Sequence, residues 1–306
     1  MVVVYIREKA NTTVRGRKDL KKVNVPFLGE IPFSISRKNR PTLEQRIKFW
    51  KKPKEVRMIV VKAGKRDIVN EAFRVLRTNF EFTIGTHPEQ NVIVFTSFNP
   101  GSGKSHIAAN MAMSLAIKKK KVLLIDGDLR HGSTSMLIHS PGEGLSDYLN
   151  GRIADIHDIL YKGEENGLVK NFDVIPIGTI PPNPTELLFT PLLEQMIKTM
   201  REEYDYVFID CPPIEVVADT PIYEQFADRT IFVVRAGLME RSMLPEVNAL
   251  YKAKKFKNMT LILNGTKAQG GRYGSHYGYG YGYGYGYNYN KEKNGGGKIL
   301  NEWIIE

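Results

Sequence analysis

The sequence predicts an α/β fold in which helices cover both faces of a mostly parallel β-sheet. Short, near-continuous apolar segments alternate along the chain with helical segments. Strands of a parallel sheet are buried on both faces, so they read as apolar runs rather than as alternating patterns. The composition, 42% hydrophobic and 25% charged over 306 residues, suits one large folded domain with extensions.

Each predicted element rests on its own local pattern. The strands carry Val, Ile, Leu and Phe, and the first long helix has no Pro or Gly in its interior. The strands are expected at residues 91–97, 120–128, 172–178, 204–213, 229–237 and 259–265, and the helices at 67–84, 104–119 and 185–203.

The chain divides by composition into four segments. We expect a basic, partly ordered arm at 1–66, the α/β domain at 67–267, a Tyr/Gly-rich tail at 268–290 and a C-terminal extension at 291–306. Alternating Tyr and Gly cannot hold a stable helix and bury little apolar surface, so this tail is expected to be flexible. Its tyrosines are Tyr273, Tyr277, Tyr279, Tyr281, Tyr283, Tyr285, Tyr287 and Tyr289.

Charge is concentrated at the start of the chain. The net charge is +11, but residues 1–66 hold 19 Lys/Arg and only 5 Asp/Glu, so the remainder is close to neutral. Such an arm suits nucleic acid, anionic lipid or plain solvation, and composition alone does not choose among these. The single cysteine, Cys211, excludes a disulfide framework and a Cys-based zinc site.

A glycine-rich loop follows the strand at 91–97 and precedes the helix at 104–119. It reads FNPGSGKSH (98–106). The pattern GxxxxGK[ST] is met at Gly103-Lys104-Ser105, although Phe98 stands where the pattern begins with Gly. Glycines let backbone N–H groups surround phosphate oxygens, and the helix N-terminus adds positive potential. In this pattern the lysine reaches the β- and γ-phosphates and the hydroxyl binds Mg²⁺. A turn without a ligand is the alternative, which the strand–loop–helix context disfavours.

Acidic residues end two of the predicted strands. Asp126 and Asp128 close VLLIDGD, and Asp210 closes YVFID. Ligands of parallel α/β sheets bind at the carboxyl ends of the strands, where these side chains are expected. One such aspartate is often only a helix cap or a loop anchor. Three in one sheet after a phosphate-binding loop favour nucleotide chemistry with Mg²⁺.

With these motifs, the sequence resembles the bacterial tyrosine kinases of capsule and exopolysaccharide synthesis. The segment VLLIDGDLR (122–130) is similar to the family's second Walker motif and YVFIDCPP (206–213) to its Walker B motif. NEAFRVLRTN (70–79) resembles its ExxRxxR oligomerisation helix, and PPNPTELL (181–188) and the terminal tyrosine cluster also match. The sequence departs from the family pattern at two places. Phe98 replaces the first Gly of the phosphate loop, and His131-Gly132 follows Arg130 where the family often has a basic residue and Pro.

The resemblance and the motifs together imply an ATP-dependent protein tyrosine autokinase that uses ATP and Mg²⁺. Asp126 is our choice of base for the tyrosine hydroxyl, although the roles of the three aspartates could be permuted. Expected catalytic residues are Lys104, Asp126 and Asp128; ATP contacts are Gly101, Ser102, Gly103, Lys104, Ser105 and His106; and metal ligands are Ser105, Asp128 and Asp210.

The resemblance also implies partners and a location. A ring-like homo-oligomer held partly by Glu71, Arg74 and Arg77 would phosphorylate the tail tyrosines between subunits. The opening Val2–Tyr5 resembles the end of a membrane helix, which places the chain at the cytoplasmic face of the inner membrane, although a plain strand start is equally compatible. Further expected partners are a tyrosine phosphatase and the polysaccharide synthesis and export machinery, and no nucleic acid is expected.

Two other classes of protein compete with this interpretation. A partition or septum-site ATPase shares the sheet and the phosphate loop, but its signature lysine would fall near Asn99 and is missing. An ATP-binding assembly module would use the Tyr-Gly tract as an adhesive segment, because a strand of it would place every Tyr on one face.

Overall fold

The computed structural model describes residues 12–33, 58–85, 87, 89–216 and 219–267. Within these residues the chain forms one seven-stranded sheet. Its strands are β1 (Phe27–Phe33), β2 (Val92–Thr96), β3 (Val122–Asp126), β4 (Phe172–Ile175), β5 (Tyr206–Asp210), β6 (Arg229–Arg235) and β7 (Thr260–Lys267). Their order is β1-β7-β6-β2-β5-β3-β4, and every neighbouring pair is parallel. The predicted α/β class and parallel sheet are confirmed.

Seven α-helices connect the strands in the described ranges. They are α1 (Ile68–Ile84), α2 (Lys104–Ala116), α3 (Leu145–Leu149), α4 (Pro184–Leu187), α5 (Pro191–Glu203), α6 (Thr220–Glu224) and α7 (Leu244–Lys252). The side chain of Asp67 caps α1 by accepting from the N–H groups of Val69 and Asn70. Among the described helices, none is both long enough and apolar enough to cross a bilayer.

The central strands are buried on both faces, as their apolar sequences require. On one face, Val94 and Ile125 join a core with Met196 and Ile197 of α5. On the other face, aromatic rings of the sheet meet α1, where Phe80 and Phe208 stack edge to face at 5.8 Å. Helices therefore cover both faces of the sheet, and the carboxyl ends of the strands remain open for a site.

The assignment of residues 1–66 to an arm needs correction for its described part. Phe27–Phe33 is an edge strand of the sheet, with Ile31 in register with Asn264 of β7. Leu28 and Ile31 are buried, and Gly29 lies so close to α1 that a Cβ there would stand 2.9 Å from Leu76 Cδ1. The folded domain therefore includes residues far upstream of 67. The basic composition of this segment gave no indication that part of it is a strand of the sheet. Residues 1–11 and 34–57, like the tail and the extension at 291–306, lie outside the described residues.

The helix predicted at 185–203 is two helices. Thr190 between them is extended, with φ −73° and ψ 146°. Pro191 causes the break, because its ring disfavours the helical conformation of the residue before it. Proline then suits the first turn of α5, where its missing N–H has no partner to lose. The break leaves α4 as a separate short element that faces the site described next.

Candidate active site

The phosphate-binding loop joins β2 to α2 and depends on two glycines in left-handed conformations. Gly101 has φ 72° and Gly103 has φ 87°. A Cβ on Gly103 would lie 2.3 Å from Nδ2 of Asn264, so a side chain at this position would clash with the Asn264 amide. The sequence pattern therefore has a steric basis in this fold, since only glycine combines this backbone angle with this close approach.

The expected nucleotide contacts Gly101 to His106 form the turn and the first residues of α2. The first intrahelical bond of α2 runs from Ile107 N to Gly103 O at 3.0 Å, so the preceding N–H groups have no helical acceptor. Such groups bind phosphate readily. The ring of His106, by contrast, lies 6.0 Å from the ring of Phe73 and 3.3 Å from Asn110. The imidazole of His106 is thus engaged with Phe73 and Asn110, while its backbone belongs to the first turn of α2.

Phe98 departs from the usual first glycine because it belongs to the core. Its ring is 5% exposed and meets Phe232 of β6 in a T-shaped contact at 5.6 Å. This position lies before the turn itself, so an aromatic residue can occupy it without entering the phosphate cradle. The departure does not change the loop geometry at Gly101 and Gly103.

Two residues that the sequence analysis missed support the loop from β6 and β7. Asn264 donates from Nδ2 to the carbonyl oxygen of Ser102 at 2.9 Å. Arg235 ends β6, lies close to Gly103 and Gly265, and stacks its guanidinium 5.7 Å from the ring of Phe33. Burial lowers the pKa of Arg235. The sequence offered a signal for both residues, because Arg235 in RAG and Asn264 in LNG are polar residues at the ends of apolar strands. The three aspartates were found from the same kind of pattern.

The strand order brings the acidic residues next to the phosphate loop. β5 lies between β2 and β3, and Asp126 and Asp210 are register partners on β3 and β5. Both side chains are buried, and Asp128 is 8% exposed. Lys104, also 8% exposed, is close enough that its charge acts on Asp210. The structure thus brings the predicted lysine and all three predicted aspartates to one edge of the sheet.

A loop after β3 holds each carboxylate in place. Ser135 donates to Asp126 Oδ2 from its N–H at 2.6 Å and its hydroxyl at 2.7 Å. Thr134 donates from its hydroxyl to Asp210 Oδ2 at 2.7 Å. The N–H of Arg130 donates to Asp128 Oδ1 at 3.3 Å. Thr134 and Ser135 carry no sequence signal that sets them apart from ordinary loop hydroxyls.

Burial raises the pKa of both carboxylates, and the charge of a neighbouring aspartate adds to the shift in each case. Burial, followed by the charge of Asp210, raises the pKa of Asp126 to about 7, although both bonds from Ser135 act against the shift. Burial also raises the pKa of Asp210, against the opposing effects of Lys104 and the hydroxyls of Ser105 and Thr134. A carboxylate with a pKa near neutrality can accept and release a proton under ordinary conditions.

The site fits a Mg²⁺ ion bound together with phosphate. Among the described residues, Oδ1 of Asp126 and Oδ1 of Asp210 are buried without a hydrogen-bond partner. The described ranges contain no group of three or more His, Cys, Asp or Glu arranged as a self-sufficient metal cage. Mg²⁺ typically uses one or two carboxylates and completes its shell with water and phosphate oxygens. Ser105, Asp128 and Asp210 are the residues that would hold it.

The predicted oligomerisation residues differ in their surroundings. Glu71 and Arg74 form an ion pair with each other on the outer side of α1. Arg77 instead turns towards α2, where Nη1 donates to the carbonyl oxygen of Ser114 at 2.8 Å. The side chain of Arg77 is only 12% exposed. Glu71 and Arg74 are thus partly exposed, with Arg74 also donating from Nη2 to the carbonyl oxygen of Lys65, whereas Arg77 stabilises the packing of two helices.

The fold and this site define a nucleotide-binding protein of the P-loop class, and the AAA domain family matches residues 90–240. The chain belongs to the bacterial tyrosine-protein kinase family. It is 34% identical over 208 residues to the tyrosine-protein kinase CpsD of Streptococcus agalactiae, a match that covers 67% of this chain and 87% of CpsD. It is also 34% identical to the tyrosine-protein kinase Wzc of Salmonella typhimurium, where the match covers 77% of this chain but only 32% of Wzc.

Solved structures agree with this membership. The kinase domain of the Escherichia coli tyrosine kinase ETK aligns with a TM-score of 0.70 and 29% identity, over 88% of this chain and 100% of that domain. The BceF tyrosine kinase domain aligns with a TM-score of 0.66 and 29% identity, over 83% and 99% of the two chains. The resemblance inferred from the motifs is confirmed. In addition, Asn99, where a partition ATPase would carry its signature lysine, bonds within this chain to Glu215 at 2.8 Å.

Proposed function

We propose that this chain is an ATP-dependent protein tyrosine kinase that phosphorylates the tyrosines of its own C-terminal tail. The observation that carries the proposal is Asp126, a buried carboxylate with an unpartnered Oδ1, at the same sheet edge as the phosphate loop. A P-loop alone supports many reactions. A poised base beside it favours a reaction that removes a proton from an incoming hydroxyl.

Each residue of the site has a distinct task in this proposal. Bound ATP with Mg²⁺ supplies the γ-phosphoryl group. The backbone of residues 101–106 holds the phosphates, and Lys104 offsets the charge that develops on them. Ser105, Asp128 and Asp210 would hold the Mg²⁺ ion, which would supply positive charge beside the phosphates. Asp126 accepts the phenolic proton while the tyrosine oxygen binds phosphorus and ADP leaves.

The tail and its neighbours complete the proposal. Eight tyrosines at 273–289, outside the described residues, are the substrates, and transfer occurs between subunits of a homo-oligomer. The basic arm lies on anionic lipid at the cytoplasmic side of the inner membrane, where each nearby Lys or Arg contributes about 1 kcal/mol. A polysaccharide synthesis and export system and a tyrosine phosphatase are the proposed partners. The family membership, with a match to CpsD that covers 67% of this chain, supports the proposed kinase function.

The test is the number of phosphates that the purified chain acquires with Mg-ATP, measured by intact mass. Wild type should gain several, and a variant with Phe at all eight tail tyrosines should gain none. A chain truncated after residue 267, mixed with full-length Lys104→Met, should phosphorylate the inactive partner's tail if transfer occurs between subunits. ATP hydrolysis without any phosphotyrosine would instead support the partition ATPase interpretation.

A further inference from the structure

Three side chains from separate segments meet at the edge of the active site. Nη2 of Arg130 donates to Oγ1 of Thr185 at 2.9 Å. The same hydroxyl donates to Oδ1 of Asp219 at 2.6 Å, and Oδ2 of Asp219 lies 3.5 Å from Nε of Arg130. Arg130 follows β3, Thr185 belongs to α4 and Asp219 precedes α6. The three contacts form a closed triangle.

The hydroxyl of Thr185 uses its only donor and one of its two acceptor lone pairs in this arrangement. It accepts one bond and donates one, so its orientation is determined by Arg130 and Asp219 together. Valine has nearly the same shape and can do neither. Position 185 therefore requires a hydroxyl for reasons beyond the start of a short helix.

Asp219 gives the triangle its charge. Its side chain is 1% exposed, and a buried carboxylate is costly unless a cation and hydrogen bonds compensate it. Arg130 is the cation that faces it, and its side chain is 34% exposed. The guanidinium thus lies with one side against a buried anion and the other towards solvent. Its guanidinium makes one hydrogen bond among the described residues, from Nη2 to Thr185, so further N–H donors remain for an anionic ligand.

Arg130 also stands next to the chemistry. It is two residues beyond Asp128, and its N–H donates to Oδ1 of that carboxylate. The adjoining loop carries Thr134 and Ser135, which bind Asp210 and Asp126. The guanidinium is therefore held beside the strand end that carries Asp126 and Asp128, with part of its side chain exposed to solvent.

We propose that Thr185 and Asp219 are positioning residues that hold the Arg130 guanidinium against the phosphoryl group as it passes to tyrosine. This inference rests on the proposed kinase function. In the transfer, the bond from γ-phosphorus to the β,γ-bridging oxygen breaks and a bond to the tyrosine oxygen forms. The phenolic proton goes to Asp126 and ADP departs. Arg130 exchanges no proton, and its fixed charge offsets the negative charge spread over the equatorial oxygens.

The test is a double-mutant cycle on the full chain, with initial rates of tail phosphorylation as the readout. Arg130→Met should lower kcat by about 100-fold or more. Thr185→Val should lower it by about 10- to 100-fold through a misplaced guanidinium. If Thr185 acts through Arg130, Arg130→Met with Thr185→Val should be no slower than Arg130→Met alone. Thr185→Ser, which keeps the hydroxyl, should recover most of the rate.

Asp219→Asn provides a second route, because it keeps an acceptor for Thr185 while it removes the charge that faces Arg130. Its kcat should fall, and the loss should disappear in the Arg130→Met background. Thr199→Val removes a hydroxyl that bonds its own helix, from Oγ1 to the carbonyl oxygen of Gln195 at 3.1 Å, and is the matched control. Calorimetric titration with Mg-ADP should give every variant a Kd within about 2-fold of the wild-type value.

The possible outcomes separate the two proposals. Multiplicative losses for Arg130→Met and Thr185→Val would overturn the positioning role, as would a lowered melting temperature with unchanged kcat. A nucleotide Kd weakened as much as kcat would also overturn it, because the triangle would then serve ATP binding. A wild type that forms no phosphotyrosine would overturn the proposed function itself, and the inference with it.

Discussion

Asp126 of β3 and Asp210 of β5 are directly opposed in register on adjacent parallel strands. Neighbouring strands lie about 4.8 Å apart, so two buried carboxylates share one small volume. Each keeps an unpartnered Oδ1, and each has its other oxygen bound by a hydroxyl of the loop after β3. Burial, followed by the charge of Asp210, raises the pKa of Asp126 to about 7 in the metal-free protein, and burial also raises the pKa of Asp210.

This pair predicts how the stability of the metal-free protein depends on pH. The folded pKa of Asp126 is about 7, above its ordinary value of 3.8. The stabilisation from its proton is complete below pH 3.8 and is lost as the pH rises through 7. Between pH 5 and 8, the free energy of unfolding of Asp126→Asn should therefore rise relative to wild type, by at most about 1.4 kcal/mol per pH unit.

Urea titrations in EDTA at several pH values measure this difference. Asp205→Asn is the control, because Asp205 is an exposed carboxylate paired with Lys120. Its difference from wild type should stay constant over the same range. A constant difference for Asp126→Asn as well would contradict the shifted pKa.

Lys104→Met should abolish phosphotyrosine and leave the fold intact. The substitution keeps the length of the side chain but removes the charge expected at the transferring phosphate, which should cost several orders of magnitude in rate. Lys118→Met is a matched control, since Lys118 is an exposed lysine whose ion pair is with Glu81. Anti-phosphotyrosine blots and circular dichroism check both variants. Undiminished signal in Lys104→Met would remove this loop from the mechanism.

Phe98→Ala should destabilise the domain by about 3–5 kcal/mol, the usual cost of truncating a buried Phe. The cause is the loss of packing against Phe232, while Gly101 and Gly103 keep the loop geometry. Chemical denaturation measures the loss, with Phe82→Ala, whose Phe is 82% exposed, as the control. Below the unfolding transition, the affinity for Mg-ADP should be retained. A variant as stable as wild type would show that Phe98 is not a core residue.

Glu71→Ala and Arg77→Ala should separate assembly from folding. Arg77→Ala removes a bond to the Ser114 carbonyl and should cost about 1–3 kcal/mol of unfolding free energy. Glu71→Ala should change stability by no more than about 0.5 kcal/mol but should weaken self-association. Light scattering gives the mass and urea titration the stability. Equal effects of both substitutions on both measurements would contradict this division.

Phosphorylation of the tail should dissolve the oligomer. Each phosphate adds about −1.5 to −2 charges, so eight add roughly −12 to −16, more than the net +11 of the chain. Several such tails around one ring would repel one another. Size exclusion with light scattering should find Lys104→Met oligomeric, phosphorylated wild type monomeric, and the latter reassembled after phosphatase. One mass for all three would show that phosphorylation does not control assembly.

The sequence by itself determined the features that depend on neighbouring residues. Six strands lie where their apolar runs predicted them, α1 and α2 begin within one residue of expectation, and the glycine-rich turn ends at Gly103, where α2 begins with Lys104 and Ser105. Local patterns suffice here because a buried strand, a helix start and a phosphate loop each need particular residues at short spacing. The break before Pro191 was also readable in principle, because proline restricts its preceding neighbour.

Only the tertiary structure decided what depends on strand order and on long-range packing. Insertion of β5 between β2 and β3 sets Asp210 beside Asp126, and no local pattern encodes that order. The same holds for β1, whose pairing with β7 draws part of a basic segment into the sheet. Thr185 and Asp219 meet Arg130 from segments far apart in the chain. Such contacts arise because burial selects a global arrangement of elements, and a polar residue acquires its partner only when that arrangement forms.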